Sequence, residues 1–419
     1  MATTRTTPTA IAQSRLPPWS TRQARFLGTS SATSLVRTRS TAVAAAIPEA
    51  SATTLRAQGP IAAGQPGALL RRIELAGGHL ELVQWGPPPT APSPATGPAP
   101  SPRLLRVWLP PGYYDGPVAG TTPADLAAAD TPAATPTAIT GPPPPSTLAS
   151  TPPAAGLLPA PAPATPPPGG WPVLYLNGDT TVLQMARNVE MFDDRLSFSG
   201  HSWRVAQTAS QLISSGVLPG FVVVGLDHAG ARRSAEYTPV KPGTGPGGHR
   251  QDAAAWPGGE VDAYLDTVVQ QVMPWAQQTY RVTNQAAKVA FGGSSFGAIC
   301  TLCLCLRYPG LVGSTLIESP SCWIDEGRWF QEVLLKHRGP WPDKVWLAMG
   351  EAEHRGDPEA PLSRLLVGYA TQLSQHLSQQ GLALGQRQQL ELGHKAAHTE
   401  SAWAERLPRA LAFLGAHWR

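Results

Sequence analysis

Ser295 is the residue whose sequence setting most clearly predicts covalent chemistry. It lies at the centre of Gly293-Ser294-Ser295-Phe296-Gly297, a Gly-x-Ser-x-Gly sequence that follows an apolar run ending at Phe291. The pattern after it, Ala298 to Leu306, predicts a helix. A serine on so sharp a strand-to-helix turn has strained torsions, and both glycines are needed where a Cβ would collide with its surroundings. We therefore expect an exposed, reactive hydroxyl at Ser295.

A serine hydroxyl needs a general base and a group that orients the base. Two histidines, His394 and His398, follow the last predicted strand, and His417 lies in a predicted terminal helix. The order serine, acid, histidine is typical of α/β-hydrolases, so the acid is expected between Ser295 and these histidines. Histidines that precede the serine are interpreted as surface or structural groups: His79, His201, His228 and His249.

The elements around the elbow alternate between strands and helices. Apolar positions three and four residues apart predict helices over Val261 to Val272 and over Leu362 to Leu377. This alternation predicts a doubly wound, mostly parallel sheet with helices on both faces, with sites at the carboxyl ends of its strands. The predicted strands of this part are Val173 to Leu176, Phe221 to Leu226, Lys288 to Phe291, Ser314 to Ile317, Lys344 to Met349 and Gln389 to Leu392.

Composition divides the chain into a leader at 1–48, a linker at 49–68 and one α/β domain at 69–419. Residues 86–102 and 121–170 consist of Pro, Ala, Thr and Gly with almost no large apolar side chain, so we expect disordered insertions within that domain. Between them, Leu104 to Leu109 predicts an edge strand. Two more strands are predicted before it, at Leu70 to Leu75 and His79 to Trp85.

The leader contains six Arg, abundant Ser and Thr, and no Asp, Glu or Lys. This composition is typical of an organellar transit peptide, and we expect import into a chloroplast, with a mitochondrial or cytoplasmic location as the alternatives. Without those six Arg the chain has 26 basic and 28 acidic residues, which argues against a nucleic-acid partner. No apolar run is long enough to predict a membrane span.

Four cysteines are present, and three of them share the predicted helix after Ser295. A Cys-x-x-Cys pair without a second ligand pair nearby is a poor zinc site, so buried thiols are expected instead. The sequence therefore predicts no metal and no cofactor. The cysteines are Cys300, Cys303, Cys305 and Cys322.

Several separated motifs resemble the putative esterase family of α/β-hydrolases, which includes enterochelin esterases, feruloyl esterases and S-formylglutathione hydrolases. They occur in the family's order and cover most of the chain from about Leu69 onwards. Besides the elbow, the motifs are Val107-Trp108-Leu109-Pro110-Pro111-Gly112-Tyr113, Val173-Leu174-Tyr175-Leu176-Asn177-Gly178-Asp179, Arg233-Ser234-Ala235-Glu236-Tyr237-Thr238-Pro239, Glu318-Ser319-Pro320-Ser321-Cys322-Trp323 and His398-Thr399-Glu400-Ser401-Ala402-Trp403.

The resemblance implies a role for individual residues. It favours His398 over His394 as the base, because an acidic residue and then a Trp follow the family's histidine. It favours Glu353 as the acid, three residues after Gly350, with Asp357 as the alternative acid and a Ser-His pair without an acid as a third version. Glu351, in the same loop, is interpreted as a solvated side chain.

The resemblance also implies two backbone N–H donors to the oxyanion, those of Phe296 and Asp179. The chain departs from the family's usual Asp-Gly before the second donor, because it has Asn177-Gly178 there. Arg233 and Glu236 have the family's spacing, and we interpret them as an ion pair that holds their loop.

These residues predict a serine carboxylic-ester hydrolase that acts through an acyl-enzyme on a small-molecule ester. The alternatives are an acyltransferase that uses the same three side chains and a catalytically silent binding protein with an α/β-hydrolase fold. The oligomeric state and the substrate stay open, because no loop motif encodes them.

Overall fold

Apolar strands alternate with amphipathic helices along most of the chain. The strands form a nine-stranded sheet, and the helices pack on both of its faces. The computed structural model describes residues 67–85, 103–114, 165–178, 191–196, 201–228, 232–240 and 257–419. All of them belong to one compact unit, Thr54–Arg419. No helix among them is both long and apolar enough to cross a membrane.

The strand order across the sheet is β1-β2-β3-β5-β4-β6-β7-β8-β9. Strands β4 to β9 pair in parallel, whereas β1, β2 and β3 pair antiparallel, and β3 joins β5 antiparallel. The strands are β1 Ala68–Leu75, β2 Gly78–Trp85, β3 Arg103–Leu109, β4 Val173–Asn177, β5 Val222–Leu226, β6 Val289–Ser294, β7 Ser314–Glu318, β8 Lys344–Gly350 and β9 Gln388–Gly393.

The helices follow the strands as the periodicity predicts. A π-helical segment, Val268–Val272, joins the helices Val261–Thr267 and Met273–Tyr280, and the helix Phe296–Arg307 begins directly after Ser295. The α-helices are α1 Val205–Ser214, α2 Arg233–Tyr237, α3 Val261–Thr267, α4 Met273–Tyr280, α5 Phe296–Arg307, α6 Arg328–Glu332, α7 Pro361–Gln379 and α8 Glu400–Leu414.

Successive residues of the central strands face opposite sides of the sheet. On β4, Val173 and Tyr175 pack in one hydrophobic cluster, and Leu174 and Leu176 pack in the other. The first cluster includes residues of α3, α4, α5 and α7, and the second includes residues of α1 and α8. Two buried faces explain why the central strands are continuous apolar runs. The predicted α/β-hydrolase fold, a doubly wound and mostly parallel sheet, is thereby confirmed.

One strand prediction is wrong. The segment around Leu104 to Leu109 was expected at an edge, but β3 lies between β2 and β5 and pairs with both. Its residues Leu105, Val107 and Trp108 are buried. The cause is the β1–β2 hairpin, which adds two further antiparallel strands outside β3.

The leader at 1–48, nearly all of the linker at 49–68 and the insertion at 86–102 lie outside the described residues. Most of the insertion at 121–170 does too, although its last six residues are described. There Gly170 donates its N–H to Pro167 O over 2.9 Å, and the next residue, Trp171, donates to Arg281 O over 2.9 Å. Residues 165–170 therefore lead directly into β4.

Candidate functional site

Ser295 occupies the turn between β6 and α5, at the carboxyl end of a central strand. Its backbone angles are φ 56° and ψ −120°, a strained combination for a residue with a Cβ. Its N–H donates to Glu318 O at the end of β7 over 3.0 Å, which fixes the turn against the neighbouring strand. The local sequence thus produces the predicted sharp turn between strand and helix.

The side chain of Ser295 is less accessible than the motif predicts. Ser295 is only 8% exposed. Part of the cover is the segment that follows β7, where Ser321 Oγ lies 3.2 Å from Ser295 Oγ. Ser321 is itself buried, and its N–H donates to Ser295 O over 3.4 Å. Ser295 is thus a largely buried residue and not the exposed one that was expected, and the segment after β7 packs against it.

His398 and Glu353 form a direct pair at the carboxyl ends of β9 and β8. His398 Nδ1 hydrogen bonds to Glu353 Oε2. The Glu353 side chain is 1% exposed and the His398 side chain is 27% exposed, so the pair is shielded from water on the carboxylate side. An ionised carboxylate only accepts, which places the proton on Nδ1 and leaves Nε2 as the basic nitrogen.

The surroundings of Glu353 favour its ionised form. Burial alone would raise the pKa of this carboxyl group, but hydrogen bonds from His398, Ser319 and the Gly350 N–H lower the pKa below its ordinary value. Ser319 Oγ is 2.6 Å and Gly350 N is 2.7 Å from Glu353 Oε1. Glu353 is therefore ready to accept from the imidazole of His398 near neutral pH.

The two halves of the site meet at the end of β7. Glu318 O accepts from the Ser295 N–H, and the next residue, Ser319, donates to Glu353. Among the described residues, Ser295 Oγ forms its hydrogen bond with Ser321 Oγ and not with His398. Such hydrogen bonds are often long in the absence of substrate and shorten when substrate binds.

The alternative base, His394, and the alternative acid, Asp357, are exposed to solvent. His394 Nδ1 is 3.0 Å from Glu351 Oε2, and the His394 side chain is 79% exposed. Asp357 is exposed and accepts from the Glu359 N–H over 2.8 Å. The loop after β8 thus places one carboxylate, that of Glu353, against His398.

The expected oxyanion donors are only partly described. Phe296 begins α5, so its N–H is one of the first helix N–H groups, which have no intrahelical acceptor. Asp179 lies outside the described residues. The chain's departure from the family at Asn177 has a physical reason: Oδ1 accepts from Tyr264 over 3.0 Å, and Nδ2 donates to Gly297 O over 3.4 Å. An aspartate could not make the second contact, because an ionised carboxylate has no donor.

The predicted ion pair between Arg233 and Glu236 stays a prediction, and each side chain has a further contact in the structure. Glu236 pairs with Arg103 of β3, whose Nη1 is 3.0 Å from Glu236 Oε2. The guanidinium of Arg233 lies over the ring of Phe296, 5.1 Å from its centroid. Arg233 therefore borders the residue that follows Ser295.

The cysteines are all free and buried, as predicted. Burial raises the pKa of each thiol, to about 12 for Cys305, so none is a reactive thiolate. Within the described part of the chain, no group of three or more His, Cys, Asp or Glu side chains has the arrangement of a metal site.

Sequence reasoning missed the polar residues that connect the site. Ser319 contacts Glu353, Ser321 contacts Ser295, and Arg406 pairs with Glu318 inside the protein. The two serines follow a predicted strand, in one of the motifs that resemble the family, and polar residues at carboxyl strand ends gather at the site edge of such sheets. Arg406 could have been noticed as a charged residue three positions after Trp403 on one helix face.

Comparisons with known proteins identify the family of this chain. The sequence profile described as putative esterase matches residues 163–414, more than half of the chain. An uncharacterised protein of Bacillus subtilis, YbbA, is 23% identical over 197 residues, which cover 47% of this chain and 74% of that protein.

Solved structures with a similar trace include the BES protein from Bacillus cereus and the siderophore hydrolase EstA from Aspergillus nidulans. BES has a TM-score of 0.47 and 15% identity, with 82% of this chain and 98% of BES covered. EstA has a TM-score of 0.47 and 14% identity, with 80% of this chain and 94% of EstA covered. By the profile match, this chain belongs to the putative esterase family, and it is an enzyme with ester hydrolase activity.

Proposed function

We propose that the protein is a serine carboxylic-ester hydrolase that works through an acyl-enzyme. Ser295 Oγ attacks the ester carbonyl while His398 Nε2 takes its proton. The alcohol departs with that proton, and water, activated by the same imidazole, then hydrolyses the acyl-serine. Glu353 stays ionised and stabilises the imidazolium that forms in each step.

The contact that carries this proposal is the hydrogen bond between His398 and the buried Glu353, which the end of β7 connects to the strained Ser295 elbow. The carboxylate accepts from Nδ1, so the unprotonated Nε2 is the nitrogen left to act as base. Three donors lower the pKa of Glu353 although it is buried, which favours a carboxylate that orients without taking the proton. A binding protein would need neither the tautomer nor the strained serine.

The negative charge that develops on the carbonyl oxygen needs donors that are already in place. In this proposal they are the backbone N–H groups of Phe296 and Asp179. The N-terminus of α5 adds a favourable dipole, because its first N–H groups point towards the turn that contains Ser295. Asn177 supports both sides of this arrangement, since it precedes Gly178 and Asp179 in the chain and binds Gly297 O.

The test is labelling of the full-length protein with a fluorophosphonate, together with turnover of p-nitrophenyl esters. Ser295→Ala is expected to abolish both with little change in melting temperature, because it removes one hydroxyl and opens no large cavity. Ser294→Ala, the matched control at the end of β6 directly before the turn, is expected to keep the label. A label that persists in Ser295→Ala, or that disappears only in Ser294→Ala, would refute the nucleophile assignment.

A further inference from the structure

Ser319 is a buried serine that the proposed mechanism does not use. It follows β7 directly, is 1% exposed and has a φ of 44°, in the left-handed region that non-glycine residues rarely adopt. Its N–H donates to Ala348 O of β8 over 2.8 Å. The backbone is thus held in an unfavourable conformation that directs the hydroxyl towards Glu353 and α8.

Three side chains surround Ser319 Oγ. Trp403 Nε1 is 3.0 Å away, Arg406 Nη2 is 3.4 Å away, and Glu353 Oε1 is 2.6 Å away. Trp403 and Arg406 lie one turn apart on α8, the helix that begins just after His398. Helix α8 and strands β7 and β8 therefore meet at one oxygen atom.

The direction of each hydrogen bond follows from chemistry. Indole N–H and guanidinium N–H groups only donate, and a hydroxyl has two lone pairs and one hydrogen. The Trp403 and Arg406 donors occupy the lone pairs of Ser319 Oγ, so its hydrogen points to Glu353 Oε1. Arg406 Nη2 has a second hydrogen for Glu318 Oε2, 2.9 Å away.

This polarity controls which oxygen of Glu353 faces the imidazole. Oε1 accepts from Ser319 and from the Gly350 N–H, which leaves Oε2 for His398 Nδ1. A proton on Oε1 would meet two donors, so the ionised state is strongly favoured. Ser319 and the Gly350 N–H thereby favour, through Glu353, the His398 tautomer that has its proton on Nδ1.

We propose that Ser319 is a positioning residue for ester hydrolysis: it orients Glu353, and through it His398, by a hydroxyl whose direction is set from α8. The inference rests on the proposed roles of Glu353 and His398. Trp403 reinforces it, since its ring also packs edge-on against His398 with centroids 5.2 Å apart. One helix thus supports the base through ring packing and the acid through Ser319.

Charged groups near Ser319 come from several elements. Glu353 follows β8, His398 follows β9, Glu318 ends β7, and Arg406 lies on α8. The Glu318–Arg406 pair is internally compensated and buried, with both side chains at most 2% exposed. Among the described residues, the titrating side chain that hydrogen bonds to Glu353 is His398, so a change at Ser319 is expected to appear in the pH profile of hydrolysis.

The experiment compares Ser319→Ala and Ser319→Gly in the full-length protein with the control Ser314→Ala. Glycine suits the positive φ, so Ser319→Gly removes the hydroxyl while relieving backbone strain. Ser314 is a buried serine at the other end of β7 that also bonds α8, by donating to Leu414 O over 3.1 Å. The readouts are kcat, KM and the pH profile with a p-nitrophenyl ester.

Loss of one hydrogen bond to a charged group is expected to lower kcat by roughly tenfold to a hundredfold in both Ser319 variants. KM should change less than about twofold, because the carboxylate acts on the imidazolium of the transition state. The acidic limb of the profile should move to higher pH, since a carboxylate with one donor fewer is protonated more readily. Ser314→Ala should keep the kcat and pH profile of the natural protein.

A double variant separates this inference from the proposed function. If Ser319 acts through Glu353, Ser319→Gly combined with Glu353→Gln should be no slower than Glu353→Gln alone. The inference about Ser319 would be overturned if the losses of kcat in the double variant were additive. It would also be overturned if both Ser319 variants had the kcat and pH profile of the unaltered protein. In either case, a severe defect in Glu353→Gln would still support Glu353 as the acid. A natural kcat in Glu353→Gln would instead refute the acid assignment itself.

Discussion

Two histidine–carboxylate pairs lie side by side after β8 and β9, and they differ in their exposure to water. His394 with Glu351 is open to solvent, whereas Glu353 of the other pair is almost completely buried. An exposed pair is screened and contributes little, but a buried carboxylate with several donors holds a defined geometry. At the scale of single residues, burial is thus the property that separates the candidate base and acid from their neighbours.

The first prediction concerns the acid. Glu353→Gln is expected to lower kcat by about 10²- to 10⁴-fold with little change in KM, because the carboxylate stabilises the imidazolium of the transition state. Asp357→Asn, four residues later on an exposed part of the same loop, should be nearly silent. Steady-state kinetics of the two variants decide which residue is the acid. A large loss of kcat in Asp357→Asn would make Asp357 the acid. If neither variant lost kcat, the enzyme would work as a Ser-His pair without an acid.

The second prediction concerns the base. His398→Gln is expected to reduce ester turnover to a level comparable with Ser295→Ala, since no other imidazole contacts Glu353 among the described residues. His394→Gln should keep most of the turnover, because that side chain lies largely in solvent. Turnover of a p-nitrophenyl ester and fluorophosphonate labelling measure both effects. The reverse order of severity would mean that His394 is the base.

At the scale of elements, the elbow depends on contacts between β6 and α5 that leave no room for side chains. A Cβ on Gly293 would lie 2.7 Å from Gly297 C and 2.8 Å from Gly297 O, both backbone atoms that cannot turn away. A Cβ on Gly297 would lie 3.1 Å from Asn177 Cβ. The two motif glycines therefore let strand, helix and the end of β4 approach each other closely.

A third prediction follows from this crowding. Gly293→Ala is expected to destabilise the fold by roughly 1–3 kcal/mol and to lower kcat, because the start of α5 with the Phe296 N–H must shift. Gly368→Ala in α7 is the matched control, since its Cβ would have no atom within 4 Å. It should stabilise by roughly 0.5–1 kcal/mol. Chemical unfolding measures both values, and a neutral Gly293→Ala would contradict the packing argument.

At the scale of the whole molecule, residues 1–67 precede the first strand and have a composition unlike that of the rest. The six Arg and the absence of acidic residues up to Pro48 favour an organellar leader, and we propose import into a chloroplast. The described part of the chain carries the candidate site, so the leader and the site are separable in an experiment.

A fourth prediction tests this proposal. Residues 1–68 fused to a fluorescent reporter are expected to direct it to chloroplasts in plant or algal cells. Replacing the six leader Arg with Gln should return the reporter to the cytosol, because the positive charge of the leader is removed. Fluorescence microscopy with organelle markers measures the outcome. Reporter fluorescence in mitochondria would mean that the leader directs import into mitochondria and not into chloroplasts. Cytosolic fluorescence from the unaltered leader would refute the targeting proposal.

Local features of the fold could be predicted from sequence because they depend on nearby residues. The strand-turn-helix at Ser295 needs only an apolar run, two glycines and a helical period. The parallel sheet follows from the alternation of such runs with helices of sufficient length. The position of β3 could not be predicted in this way, because it depends on the pairing of β3 with β5, more than a hundred residues later along the chain.

The sequence alone determined the elbow, the α/β class and a short set of candidate residues. Tertiary structure decided which of them touch, because those contacts join residues far apart in the chain: His398 and Glu353 are separated by 45 positions, and Trp403 and Ser319 by 84. The cover of Ser295 by Ser321 and the buried Glu318–Arg406 pair were decided in the same way. Such contacts depend on strand order and helix packing, which local spacing does not encode.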